Sequence, residues 1–144
     1  MKRNEFFTVL GVSAGTIIFA PFLTACSKSS SVMPVTGGGG IDFTLDLTLP
    51  ANSSLNTVGG FLVKSGVIVA RTADTTYIAL ASACTHQGYV VEYQSASNQF
   101  HCTNPAPGHG SLYRTNGTVI SGPAPSALAV YNAALSGTML HVFS

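Results

Sequence analysis

Charge is what this chain has least of. Six Lys and Arg and five Asp and Glu are spread over 144 residues, so 8% of the chain is charged, against the usual ~25%. The net charge is +1. A nucleic-acid binder needs a basic face to displace counterions from phosphates, and so few cations cannot build one. Helical periodicity is missing too: after residue 26 no useful run of apolar residues recurs at 3.6-residue spacing, and there is no internal repeat. Trp is absent. The length allows one domain of ordinary size and excludes a large multidomain enzyme. Disorder is excluded as well, because 46% of the residues are hydrophobic and can bury a core. Cysteine is scarce and odd in number, at three, which asks where the unpaired one goes.

The N-terminal residues 1–25 read as a targeting segment. Lys2 and Arg3 form a short positive region, and Phe6 to Ala25 then carries no charge. Small residues before a cleavage point mark signal processing. The stretch ends Leu23-Thr24-Ala25-Cys26, which resembles the lipobox of bacterial lipoproteins. That resemblance implies cleavage before Cys26, a diacylglyceryl group on its sulfur, and a domain held at a membrane of the bacterial cell envelope by lipid; two or more acyl chains anchor stably where one does not. The alternative is an uncleaved N-terminal helix, since ~20 apolar residues can span a bilayer. Residues 26–40 are rich in Ser and Gly and end in Gly37 to Gly40, a flexible-linker composition. The domain is expected over residues 41–144, and behind Cys26 its four cations balance four anions.

Within that domain Ile41, Phe43, Leu45, Leu47 and Leu49 alternate with polar residues, the period of a half-buried strand. Further strands are predicted at Phe61 to Val63, Val67 to Arg71, Tyr77 to Ala81, Val90 to Tyr93, Gln99 to His101, Leu112 to Tyr113, Thr118 to Ile120, Ala127 to Tyr131 and Met139 to Phe143. Turn signals separate them at intervals of ~8–12 residues, an all-β pattern. Asn116-Gly117 supplies positive φ for a hairpin.

Two loops carry the chemistry. One is Cys84-Thr85-His86-Gln87-Gly88; the other runs from Cys102 through Pro105, Pro107 and Gly108 to His109-Gly110-Ser111-Leu112-Tyr113. Each holds one Cys and one His and follows a predicted strand, where a scaffold presents a loop. In an extended Cys-x-His the two side chains lie ~7 Å apart, a span better suited to two metal ions than to one tetrahedral corner. Structural zinc sites favour Cys-x₂₋₄-Cys and His-x₃₋₅-His instead. Two thiolates and two imidazoles are the set that a two-iron cluster with Cys₂ on one iron and His₂ on the other requires. His101 adjoins Cys102 but points to the opposite strand face, so it reads as a surface or satisfied His; His141, in the last strand, reads as structural.

These loops resemble the two boxes of the Rieske iron–sulfur family: Cys84-Thr85-His86-Gln87-Gly88 its first box, and His109-Gly110-Ser111-Leu112-Tyr113 the end of its second. Gly117 to Pro125 resembles the stretch that follows, with its proline loop near the cluster, and the likeness covers about residues 43–143. It implies an all-β fold: a Rieske-like antiparallel β-sandwich with a small cluster-binding subdomain over about residues 82–113. It implies one [2Fe–2S] cluster, with Cys84 and Cys102 on one iron and His86 and His109 on the other. Neutral imidazoles in place of thiolates raise the potential to ~ −150 to +300 mV. Ser111 and Tyr113 stand where high-potential members place hydroxyls that bond the cluster sulfurs and raise it further, a pair that oxygenase-type members usually lack. A ligand imidazole that loses its outer proton on oxidation would couple electron and proton transfer.

The implied function is membrane-tethered one-electron transfer, as a subunit or partner of a respiratory quinol-oxidising complex. The alternatives are the electron-transfer small subunit of a periplasmic molybdenum-type oxidase, or a non-redox domain holding zinc on the same four ligands. Partners are redox proteins such as a quinol-oxidising complex, a cytochrome or a periplasmic oxidase. Oxidoreductase activity is expected only together with such a partner.

The chain departs from the family twice. The second box is normally Cys-x-x-His, but six residues separate Cys102 from His109. Pro105 and Pro107 stiffen this insertion and Gly108 lets it turn back, so it is expected to bulge outward with both ligands in place. Many respiratory members also join an extra Cys in each loop by a disulfide. Here Tyr89 takes the first position and the second loop has no extra Cys. The cluster should be more solvent-labile, or braced by the prolines and by packing of Tyr89.

Overall fold

The computed structural model describes residues 40–144. The signal segment expected over 1–25, the lipid-bearing Cys26 and the linker up to residue 39 lie outside the described residues. Ten strands follow: β1 (Asp42–Asp46), β2 (Phe61–Lys64), β3 (Val67–Arg71), β4 (Tyr77–Ala81), β5 (Val91–Gln94), β6 (Gln99–Cys102), β7 (Leu112–Arg114), β8 (Val119–Ser121), β9 (Val130–Ser136) and β10 (Met139–Phe143). A 3-10 helix, Pro50–Asn56, joins β1 to β2. Every strand pair is antiparallel, in a six-stranded sheet ordered β1-β10-β9-β4-β3-β2 and a four-stranded sheet ordered β5-β6-β7-β8. The all-β sandwich expected from the sequence is the observed class; the smaller sheet runs from Val91 to Ser121, past the end of the subdomain expected over about 82–113.

The unbroken apolar run of β3 has a simple cause: both its faces are buried. Val67 and Val69 face a core with Leu45, Leu55, Ala79, Leu140 and Val142. Ile68 and Ala70 face a second core with Leu80, Val91, Tyr93, Phe100, Tyr113 and Leu128. That second core joins the small sheet to β3 and β4, and it includes Cys84 and Cys102.

Two strands differ from the sequence expectation. The alternation to Leu49 predicts a longer β1, but the strand stops at Asp46. The Asp46 carboxylate accepts the Thr48 N–H at 2.9 Å and the Thr48 hydroxyl at 2.7 Å, a local turn that competes with the ladder. Pro50 then opens the 3-10 helix, where a missing N–H costs nothing. The strand expected over Ala127 to Tyr131 begins at Val130 and runs to Ser136. Leu128 sends its N–H to Gly117 O at 2.9 Å, while Asn132 to Ser136 pair with β10. In the 114–118 turn only Gly117, not Asn116, takes positive φ, at 82°.

Candidate metal centre

The two Cys and His loops meet at one end of the second core. The first loop closes on itself: Cys84 N–H bonds Tyr89 O at 2.7 Å, and Gly88 N–H bonds Cys84 O at 2.8 Å. Gly88 sits at φ 77° to allow it. The second loop leaves β6 at Cys102, whose N–H bonds Ser111 O at 2.9 Å, so the chain departs from and returns to the same ladder. Thr103 joins the loops, its hydroxyl donating to Val90 O at 2.8 Å.

Cys84 and Cys102 are unpaired and each only 3% exposed. They are close enough to perturb each other's ionisation. Burial acts to raise the Cys84 thiol, but hydrogen bonds from the Tyr113 hydroxyl, the His86 N–H, Cys102 and Ser111 outweigh it, and its pKa lies below the ordinary thiol value. The Cys102 thiol is pushed up by burial and by the neighbouring Cys84. The half-buried rings of His86 and His109 lie with centroids 4.7 Å apart, tilted by 37°. Thus the two thiols form one pair and the two imidazoles another.

Around the thiols stand two fully buried hydroxyls. Tyr113 Oη lies 3.1 Å from Cys84 Sγ and 3.3 Å from the Thr85 N–H. The Thr85 hydroxyl donates to Ser126 O at 2.7 Å, which uses its only proton. The phenol therefore accepts from the Thr85 N–H, and its one proton faces two acceptors, Cys84 Sγ at 3.1 Å and Thr85 Oγ1 at 3.3 Å; once ionised, the sulfur is the charged and stronger of the two. The Tyr113 hydroxyl is raised in pKa by burial and by Cys84. Ser111 Oγ accepts the Ala124 N–H at 3.0 Å, which leaves its proton free for sulfur. A Cβ at Gly122 would stand 2.5 Å from Ser111 Cα, so the proline loop lies directly on the serine.

The remaining residues fall as follows. His101 is half-buried on β6, its Nε2 3.3 Å from where a Cβ on Gly110 would be. His141 bonds Asp42 at 2.8 Å and stacks on Phe143, a structural role. Tyr89 is 46% exposed, so it packs less than the expected brace would require, and its carbonyl serves the loop by accepting the Cys84 N–H. Sequence reasoning also missed Thr85 and Asn104. Asn104, 8% exposed, bonds Ala106 N–H at 3.0 Å and Gln87 at 3.5 Å; a polar residue beside two prolines gave no signal of burial.

The donor set fits an iron–sulfur group. Two buried thiols without a disulfide suit thiolate ligation, and His109 Nδ1 is buried with no hydrogen-bond partner. A buried ring nitrogen left so is costly unless a ligand completes it.

The fold and this donor set define a class, and comparison with known proteins agrees. The chain belongs to the Rieske [2Fe–2S] family: the family model for the Rieske [2Fe-2S] domain matches residues 48–132. Membership implies one [2Fe–2S] cluster. The chain is 31% identical over 154 aligned residues to a cytochrome b6-f complex iron-sulfur subunit of Prochlorococcus marinus, covering 90% of this chain and 78% of the relative. It is 32% identical over 150 to cytochrome b6-f complex iron-sulfur subunit 1 of Trichormus variabilis, covering 92% and 75%. Among solved structures, a plasma membrane Rieske protein of Synechocystis matches with TM-score 0.48 and 27% identity over 59% of this chain and 85% of that one.

Proposed function

We propose that this chain is a membrane-tethered electron-transfer protein of a quinol-oxidising complex, with Cys84 and Cys102 as ligands of one iron and His86 and His109 as ligands of the other. The observation that carries the ligand reading is the buried, unpartnered His109 Nδ1 beside His86, in the two loops that also supply two buried free thiols. The bound cluster supplies one-electron chemistry; the protein's own residues set its terms. Neutral imidazoles lower the negative charge at one side. The Ser111 and Tyr113 hydroxyls donate toward sulfur and favour the state with more negative charge. The half-buried imidazoles offer an edge through which an electron can leave, and the exposed Tyr89 and Val90 beside them give a partner an apolar rim.

The partner reading rests on the cytochrome b6-f subunits that the chain resembles over most of its length. Tethering rests on Cys26 and its lipobox-like setting, which would hold the domain in the cell envelope; among the described residues no helix is long and apolar enough to cross a membrane. The zinc alternative is disfavoured because, among the described residues, no three His, Cys, Asp or Glu side chains gather about one ion.

The test is spectroscopic. Reduced, cluster-loaded protein is expected to give a Rieske-type EPR signal, and Cys84→Ser and His109→Ala to abolish it while the fold persists by far-ultraviolet circular dichroism. A colourless protein with stoichiometric zinc would overturn the reading. Cys26→Ser should move the protein from the membrane to the soluble fraction.

A further inference from the structure

The insertion between Cys102 and His109 is built as two turns that share one residue. Asn104 Oδ1 accepts the Ala106 N–H at 3.0 Å, closing a side-chain turn over Pro105. His109 N–H then bonds Ala106 O at 3.3 Å, with Pro107 and Gly108 between and Gly108 at φ 80°, the arrangement of a type II turn. Ala106 thus gives its N–H to Asn104 and its carbonyl to His109. Because Oδ1 faces an N–H, the orientation of the Asn104 amide is fixed. Its Nδ2 therefore donates across to Gln87 Oε1 of the first loop, at 3.5 Å. Pro105, Ala106, Pro107 and Gly108 are exposed, and Asn104 is the buried member of the segment.

We infer that Asn104 is a positioning residue: it folds the insertion back so that His109 reaches the cluster, and with Gln87 it braces the two loops in this chain, which has no cysteines for a disulfide there. The inference rests on the ligand reading proposed above for His109. A short Cys-to-His spacing needs no such residue. Six intervening residues must be folded out of the way, and both ends of one amide do it.

The test compares the rate of cluster loss in a fixed guanidinium concentration, followed by visible circular dichroism, with the EPR spectrum of each variant. Asn104→Ala is expected to lose the cluster roughly fivefold faster, the scale of a buried hydrogen bond, and to broaden the EPR signal, since one imidazole is less firmly held. Gln87→Ala, which removes only the long cross-loop bond, should give about a twofold effect, and the double variant should resemble Asn104→Ala. Val142→Ala, in the core on the far side of β3, is the control for general destabilisation. If Asn104→Ala does not retain its cluster through purification, Gln87→Ala carries the comparison. Loss rates like wild type in both variants overturn the inference, as does an equal acceleration in Val142→Ala at the same melting temperature. Wild-type protein without a Rieske signal overturns the ligand reading and this inference together; a normal signal with unchanged loss rates overturns this inference alone.

Discussion

Replacing Tyr113 by Phe removes one atom from the site and leaves the packing in place. The ring is fully buried in the second core, and phenylalanine fills the same volume without its hydroxyl. That hydroxyl lies 3.1 Å from Cys84 Sγ. A hydrogen bond to a charged acceptor contributes about 1.5–3 kcal/mol. It strengthens as the sulfur gains negative charge, so assigning about half of it to the difference between redox states gives ~0.75–1.5 kcal/mol. At about 59 mV per tenfold for one electron, this lowers the midpoint potential of Tyr113→Phe by ~30–65 mV. The same change leaves the Thr85 N–H without its 3.3 Å partner, which costs about 1 kcal/mol of stability. Redox titration followed by EPR measures the first effect and thermal melting the second. A potential that moves by less than ~15 mV in a variant with an intact signal, or that rises, refutes the claim that the phenol donates to sulfur.

Gly122→Ala should lower both potential and stability. Its Cβ would meet Ser111 Cα at 2.5 Å and Oγ at 2.9 Å at a φ of 98°; strain of this kind costs ~1–3 kcal/mol, and redox titration beside thermal melting reads it. Acid should destabilise the fold through Asp74, whose carboxyl is held below its ordinary 3.8 by hydrogen bonds from Thr72 and Thr76. The lowered folded value means the unfolded chain binds more protons there. Stability from this group is thus full above 3.8 and is lost as pH falls through the folded value. Asp74→Asn should flatten the fall of melting temperature in acid, and an unchanged acid profile would count against it.

The strands were legible because their sequence pattern reports their surroundings. β3 reads as a continuous apolar run, and both its faces are buried; β5 alternates, with Val91 and Tyr93 inside and Glu92 outside. The two Cys and His loops were legible from residue type and spacing, and the fold sets thiol beside thiol and imidazole beside imidazole. The end of β1 was not, because the alternation continues to Leu49 while the Asp46–Thr48 turn overrides it. β9 was hidden because Asn132, Ala133 and Ala134 have weak strand preference; pairing with β10 extends it. Tyr89 is more exposed than the bracing alternative supposes, because an aromatic residue predicts burial only on average. Asn104 was invisible for the opposite reason: its role depends on a neighbour, Gln87, in another loop.

The halves of the centre are held in different ways, and this separates two properties. Cys84 and Cys102 lie in the second core with Tyr113, and Cys102 ends a strand whose ladder continues to Ser111. Groups that tune the sulfurs are therefore fixed by strand pairing and burial. His109 depends on the Ala106 and Asn104 turns, exposed but for one amide. A change in the insertion should alter how firmly the imidazole side is held, and hence how long the cluster survives, while hardly moving a potential set by hydroxyls on the other side. On the proposed ligand reading, a long insertion is tolerable for this reason: it lengthens the path to His109 without changing the ligand type, and it falls in the half that the Ser111 and Tyr113 hydroxyls do not tune.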